Sequence, residues 1–122
     1  MGTVKNFEDL QAWQKARELA GFVYELTRKD GFSRDWNLVN QIRDAAGSVM
    51  HNIAGGFESG YDPEFARFLK MARRSAAEVQ SELYLALDAH FITNEELKKG
   101  YELAVDVKKL INAFLKYLRN SD

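Results

Sequence analysis

The chain has 122 residues, of which 46% are hydrophobic and 29% charged, so it is large enough for one domain with a core and too apolar to be disordered. Cysteine is absent, which excludes a disulfide framework and thiolate chemistry. The formal net charge of −1 argues against non-specific nucleic-acid binding through overall charge. No signal core and no apolar stretch long enough to span a membrane is found, so we expect a cytoplasmic protein.

Apolar residues recur at helical spacing in four segments, each bounded by helix start and stop signals. The predicted helices span residues 7–28, 37–58, 63–90 and 94–119. Their predicted N-terminal signals are Asn6 with Asp9, then Ser33 or Asn37, then Asp62 with Pro63, and finally the capping box of Thr93 and Glu96. His90 is expected to close the third helix. Three short connections make neighbouring helices antiparallel, so the predicted fold is all-α, an up-down-up-down four-helix bundle within one domain of residues 1–122.

The first three predicted helices carry more apolar surface than one stripe facing a core requires. These side chains are either buried between two neighbours in the same chain or form a contact between subunits. The candidate subunit interface consists of Trp13, Tyr24, Val39, Met50, Phe57, Met71 and Leu85. Gly47, inside the second helix, lowers helix stability by about 1 kcal/mol relative to alanine, so we expect it to permit close approach of another backbone.

Two polar patterns accompany the apolar ones. Gln41, Ser48 and Asn52 follow one edge of the second helix, where we expect hydrogen bonds to a neighbouring helix. On the third helix, basic residues recur at Arg67, Lys70 and Arg74, with Arg73 beside them. Such a face is usually solvated, but the alternative is contact with the phosphates of RNA or DNA.

No pattern of residues indicates catalysis. His51 and His90 are the two histidines, and neither belongs to a Glu-x-x-His pair of the kind that builds a di-iron site in helical bundles. A zinc site would need cysteines or paired histidines, which the sequence does not contain. The glycines at residues 55–60 do not form a phosphate loop, because no strand precedes them and no Gly-Lys-Ser/Thr follows them. We therefore expect a protein that is not an enzyme and has no metal or cofactor.

Several segments resemble the 23S rRNA intervening-sequence protein family, also called the four helix bundle proteins. They include Asn52-Ile53-Ala54, Glu64-Phe65-Ala66-Arg67-Phe68-Leu69 and the opening Phe7-Glu8-Asp9-Leu10-Gln11-Ala12-Trp13, and the resemblance covers nearly the whole chain. Gly55 and Ser59 depart from the family, where glutamate and a basic residue are common. The polar signature of the family falls on Gln41, Arg43, Ser48, Asn52, Ser75 and Glu78.

The resemblance implies a homopentamer of unsettled function, with a fold similar to that of accessory variability proteins of retroelements, which bind nucleic acid. From the residues and the resemblance together, we expect a non-enzymatic binding module that forms a ring-like homo-oligomer. The alternative is an RNA- or DNA-binding accessory protein that displays the basic residues of the third helix around the ring. A further protein partner is possible, and no membrane association is expected.

Overall fold

The computed structural model describes residues 4–120, and within that range the regular structure is entirely helical. The four α-helices are α1 (Gln11–Thr27), α2 (Trp36–Glu58), α3 (Asp62–Asp88) and α4 (Asn94–Arg119). Each helix packs against the next in sequence, and α1 also packs against α4, which closes the ring of contacts. Short connections make each pair antiparallel, so the predicted up-down-up-down four-helix bundle is confirmed.

The start of the first helix differs from the prediction. Phe7–Asp9 forms a separate 3₁₀ turn, and Leu10 has an extended backbone before α1 begins. The Asn6 side chain makes no capping hydrogen bond. The break lets Leu10 enter the core while the Phe7 ring packs edge-on against Trp13, with centroids 5.1 Å apart. Burial of these side chains therefore prevails over the local capping signal.

The second and third helices begin one residue earlier than predicted. Asp35, and neither Ser33 nor Asn37, caps α2 by accepting a 3.0 Å hydrogen bond from the backbone N–H of Leu38. In α3, Asp62 is already helical and Tyr61 occupies the cap position without a side-chain capping bond. The acidic first turn of α3 still complements the positive end of the helix dipole.

The third helix ends at Asp88, two residues before the predicted end. His90 adopts a left-handed conformation with φ of 65°. Its N–H donates to the Leu87 carbonyl, and the N–H of Phe91 donates to the Ala86 carbonyl, both at 2.9 Å. This hydrogen-bond pattern is a Schellman motif, in which His90 follows the helix and turns the chain. The prediction that His90 is the last residue of the helix was therefore wrong.

The fourth helix has the predicted bounds and the predicted capping box. The Thr93 hydroxyl accepts from the N–H of Glu96 at 3.1 Å, and the Glu96 carboxylate accepts from the N–H of Thr93 at 2.9 Å. The same carboxylate also pairs with Lys29, beside the α1–α2 connection. At this end of the bundle the Phe32 and Phe91 rings stack, with centroids 5.2 Å apart. The α1–α2 connection is thus joined to the start of α4 by an ion pair and to the α3–α4 connection by an aromatic contact.

The core consists mainly of aliphatic and small side chains from all four helices, with the buried rings of Phe32 and Phe65. Close packing of α2 against α3 occurs at Gly56, where an added Cβ would lie 2.7 Å from the Cβ of Phe68 and 2.8 Å from Cδ1 of Phe65. Gly47 does not have the predicted role within the chain, because a Cβ there would meet only the His51 imidazole, 3.6 Å away. Of these two glycines, the one that permits a close approach of another helix is thus Gly56, near the α2–α3 turn, and not Gly47.

Candidate nucleic-acid and subunit interfaces

A groove between α3 and α4 gathers basic side chains from both helices. Its first section, a cleft of about 560 Å³, is lined by Lys70, Arg73, Lys116 and Arg119 over a largely apolar floor, with Asp62 at one end. A second cleft of about 420 Å³ adjoins it and adds Arg74 and Lys108. We call this surface the basic groove and define it by Lys70, Arg73, Arg74, Lys108, Lys116 and Arg119.

Hydrogen bonds between the two helices hold part of this groove in place. The Arg73 guanidinium donates to Oδ1 of Asn112 at 2.7 Å, and the Lys108 ammonium donates to Oε1 of Gln80 at 2.7 Å. Both acceptors are neutral amides, so the two cations keep their full charge. Four ion pairs, Lys15–Glu18, Lys29–Glu96, Arg34–Asp30 and Arg67–Glu64, lie elsewhere on the bundle. The groove is therefore a local concentration of positive charge on a nearly neutral protein.

Arg67 is separated from the other three predicted nucleic-acid residues. Its guanidinium forms an ion pair with Glu64, lies 3.6 Å from the sulfur of Met71 and covers the Phe68 ring at 4.9 Å. All three partners belong to α3 itself, and none of them lines the basic groove. The structure brings together Lys70, Arg73 and Arg74, and it leaves Arg67 outside the basic groove.

Three members of the basic groove come from α4 and are absent from the predicted set. Lys108, Lys116 and Arg119 follow one face of that helix together with Asn112, at spacings of four, four and three residues. Such spacing places side chains on one face, so the sequence held a signal for them. What it lacked was the rotation of α4 that turns this face toward α3.

Two tyrosines lie on α3 and α4 beyond the basic groove. Tyr84 of α3 and Tyr101 of α4 pack edge-to-face, with ring centroids 6.0 Å apart. They are 50% and 36% exposed, respectively, so both rings present surface to solvent. Gln80 of α3 lies near both, because its Oε1 accepts from the Lys108 ammonium and its Nε2 donates to the backbone carbonyl of Tyr101 at 3.4 Å.

The residues predicted at the subunit interface fall into two groups. Tyr24 and Leu85 are 40% and 55% exposed, and Trp13, Met50 and Met71 are partly buried. Val39 is 9% exposed and belongs to the core of its own chain. Phe57 packs edge-on against the buried Phe65 ring, with centroids 6.0 Å apart, and most of its contact is internal.

Most of the polar family signature serves the bundle itself. Ser75 of α3 donates to Ser48 of α2 at 2.9 Å, and Asn52 donates to the hydroxyl and the carbonyl of Ser48. The expected bond from this polar line to a neighbouring helix is thus confirmed at Ser48. Arg43 donates to the Thr27 hydroxyl at 2.9 Å and lies over the Tyr24 ring at 4.4 Å, whereas Gln41 and Glu78 are exposed.

Glu82 of α3 has a partly buried carboxyl group, and the sequence analysis did not single it out. Oε1 of Glu82 is inaccessible to solvent and has no hydrogen-bond partner among the described residues. Burial, reinforced by the nearby carboxylates of Glu78 and Asp44, raises the pKa of Glu82 to about 7. Glu82 is therefore a mixture of neutral and charged forms at physiological pH.

Two kinds of site were also sought in the described part of the chain. Residues 4–120 contain no group of three or more histidine, aspartate or glutamate side chains arranged to hold a metal ion. None of the four helices is both long and apolar enough to cross a membrane.

Comparison with solved structures identifies a similar fold in a protein of unknown function of the S23 ribosomal protein family from Bacteroides thetaiotaomicron. The two superpose with a TM-score of 0.78 at 21% sequence identity, over 86% of this chain and 95% of the other. At this identity the likeness establishes the fold alone. No curated protein matches the chain. The model of the 23S rRNA-intervening sequence protein family matches residues 8–113, nearly the whole bundle. This chain therefore belongs to the 23S rRNA-intervening sequence protein family.

Proposed function

We propose that this protein is a non-enzymatic binding module that assembles into a homo-oligomer, with a pentamer as the expected ring. The observation that carries this proposal is the apolar surface that one bundle leaves accessible on α1, α2 and α3. Tyr24 and Leu85 are the most exposed of the predicted interface residues, and Trp13, Met50 and Met71 add partly buried surface around them. Large exposed apolar patches in monomeric proteins usually mark interaction sites.

The arrangement of this surface supports a ring. Tyr24 lies beside α2 on the α1 side, as its contact with Arg43 shows, whereas Leu85 projects from α3. Two different patches on separate helices suit a head-to-tail interface, which closes into a cyclic assembly when the rotation permits. A self-complementary dimer would instead need one patch that pairs with itself.

Size-exclusion chromatography with light scattering at micromolar concentration tests the assembly. We expect a mass about five times that of the 14.0 kDa chain. Tyr24→Glu with Leu85→Glu should reduce the mass to that of a smaller species, because each substitution places a charge in the apolar contact. Lys109→Glu, an exposed change on α4, serves as the control and should leave the mass unchanged. A monomer mass for the unmodified protein would refute the proposal.

A second function, RNA or DNA binding, is favoured by the basic groove. Six basic side chains from two helices converge there, and a ring would display the groove several times. Repetition converts a weak patch into a multivalent one, since later contacts form at high effective concentration. The net charge of −1 then matters less than the local field.

Fluorescence anisotropy with a labelled oligonucleotide tests this function. Binding should weaken steeply between about 50 and 200 mM salt, because phosphate contacts release counterions. Lys70→Ala, Arg73→Ala and Arg74→Ala combined should reduce both the affinity and its salt dependence. Arg67→Ala is the matched control on the same helix and should have little effect. Equal losses in the two variants would show that the basic groove is not the binding surface.

A further inference from the structure

We propose that the groove between α3 and α4 binds single-stranded nucleic acid, with the phosphates on its basic section and unpaired bases stacked on Tyr84 and Tyr101. This inference rests on the nucleic-acid function proposed above and specifies the kind of strand. Proteins that bind single strands without sequence preference combine a positive groove that follows the backbone with aromatic side chains on which bases stack. Tyr84 lies eleven residues after Arg73 on α3 and Tyr101 lies seven residues before Lys108 on α4, spacings that place each tyrosine on the face of its helix that carries the basic residue.

The dimensions of the groove suit a short strand. Lys70 and Tyr84 are fourteen positions apart on α3, which corresponds to about 21 Å along a helix. That length spans about six nucleotides at the 3.4 Å spacing of a stacked strand. Lys70, Arg73 and Arg74 occupy one part of this length, and the two tyrosines occupy its other end.

The environment of the tyrosines supports a role outside the core. The two rings touch each other, and a large part of each residue is exposed to solvent. The exposed ring surface contributes no stability through burial. In their edge-to-face arrangement, with planes at 74°, the edge of one ring covers a single face of the other, and the 50% and 36% exposure of the two residues leaves surface accessible to a base. Gln80 of α3 accepts from Lys108 and donates to the backbone carbonyl of Tyr101, both on α4, so these bonds hold the two helices together between the basic residues and the tyrosines.

A single strand fits these features better than a duplex does. In a duplex the base faces are already stacked on their neighbours and are not available to an aromatic side chain. A duplex would use the cations alone and would gain nothing from the tyrosines. The preference for a single strand should therefore disappear when the rings are removed.

The test uses fluorescence anisotropy to measure binding of three labelled probes, namely twelve-nucleotide oligo-dT, twelve-nucleotide oligo-U and a hairpin duplex with the same number of nucleotides. We expect the single strands to bind more tightly at moderate salt. Tyr84→Ala with Tyr101→Ala should weaken single-strand binding by about tenfold or more, the scale of one lost base stack, and should leave duplex binding unchanged. Tyr84→Phe with Tyr101→Phe should retain binding, because phenylalanine keeps the ring. Tyr61→Ala, which removes a 65% exposed tyrosine at the α2–α3 turn, is the control.

The outcomes separate this inference from the function on which it rests. If the alanine pair binds single strands as the unmodified protein does, while the Lys70, Arg73 and Arg74 variant does not, base stacking is refuted and phosphate binding stands. Equal or tighter binding of the duplex by the unmodified protein also refutes the inference. Absence of salt-dependent binding to every oligonucleotide refutes both. Circular dichroism of each variant confirms that the bundle is folded.

Discussion

Replacement of Glu82 by glutamine should make the bundle more stable above neutral pH. The carboxyl of Glu82 is partly buried, its Oε1 has no partner among the described residues, and its pKa is raised from 4.5 to about 7, first by burial and then by Glu78 and Asp44. The folded protein therefore holds the Glu82 proton more tightly than the unfolded chain does. This contribution to stability is complete below about pH 4.5 and is lost as the pH rises through 7.

The size of the effect follows from the pKa difference. At about 1.4 kcal/mol per pKa unit, the upper limit is about 3 kcal/mol. Solvent reaches part of this side chain, which screens the charged form, so we expect about 1–2 kcal/mol between pH 5 and pH 8. Glutamine is close in shape to the protonated carboxyl but does not titrate. The variant should thus be more stable than the unmodified protein at pH 8 and nearly equal to it at pH 5.

Urea unfolding followed by circular dichroism at pH 5 and pH 8 measures this difference. The decisive quantity is the change with pH in the variant minus that in the unmodified protein, because every contribution that the two proteins share cancels in this difference. Glu102→Gln, an exposed substitution on α4, is the control and should show no such change. If Glu82→Gln shifts the unfolding free energy equally at both pH values, the burial argument is wrong.

Three further predictions concern packing and capping, each measured by urea or thermal unfolding. Gly56→Ala should destabilise the bundle by about 1–2 kcal/mol, because overpacking against Phe68 outweighs the gain in helix propensity, whereas Gly47→Ala should stabilise it by about 0.5–1 kcal/mol. The same sign at both glycines would contradict the close contact at Gly56. Thr93→Ala should lower stability by about 1 kcal/mol through loss of the capping box, and an unchanged midpoint would show that Glu96 alone suffices. Phe32→Ala should lower stability by about 3–5 kcal/mol, since the ring is fully buried, and a loss below 1 kcal/mol would contradict that packing.

The bundle could be predicted from sequence because its determinants are local. Apolar spacing and short connections are properties of neighbouring residues, and the capping box of Thr93 and Glu96 specifies one helix start without help from the rest of the chain. The prediction was wrong where distant packing decides. At Asn6 a sound capping signal yields to the burial of Leu10, a contact that periodicity does not reveal.

The candidate site was predicted only in part for a related reason. The basic residues of α3 are visible in sequence, but their neighbours depend on how two helices are rotated relative to each other. That rotation decides which residues of α3 line the groove, which include Lys70 but not Arg67, and it brings Lys108 of α4 to the same groove. Gly47 illustrates the same difficulty, because a glycine within a helix indicates room for a close neighbour but does not say whether one is present.

The link between the two connecting loops has a consequence for how the bundle opens. In the α1–α2 connection, Lys29 pairs with Glu96 at the start of α4, and Phe32 stacks on Phe91 in the α3–α4 connection. Detachment of either connection therefore breaks the same two contacts. Local unfolding of the α1–α2 connection is therefore coupled to local unfolding of the α3–α4 connection. In native-state hydrogen exchange, amides of both loops should behave as a single cooperative unit, with a common dependence on denaturant.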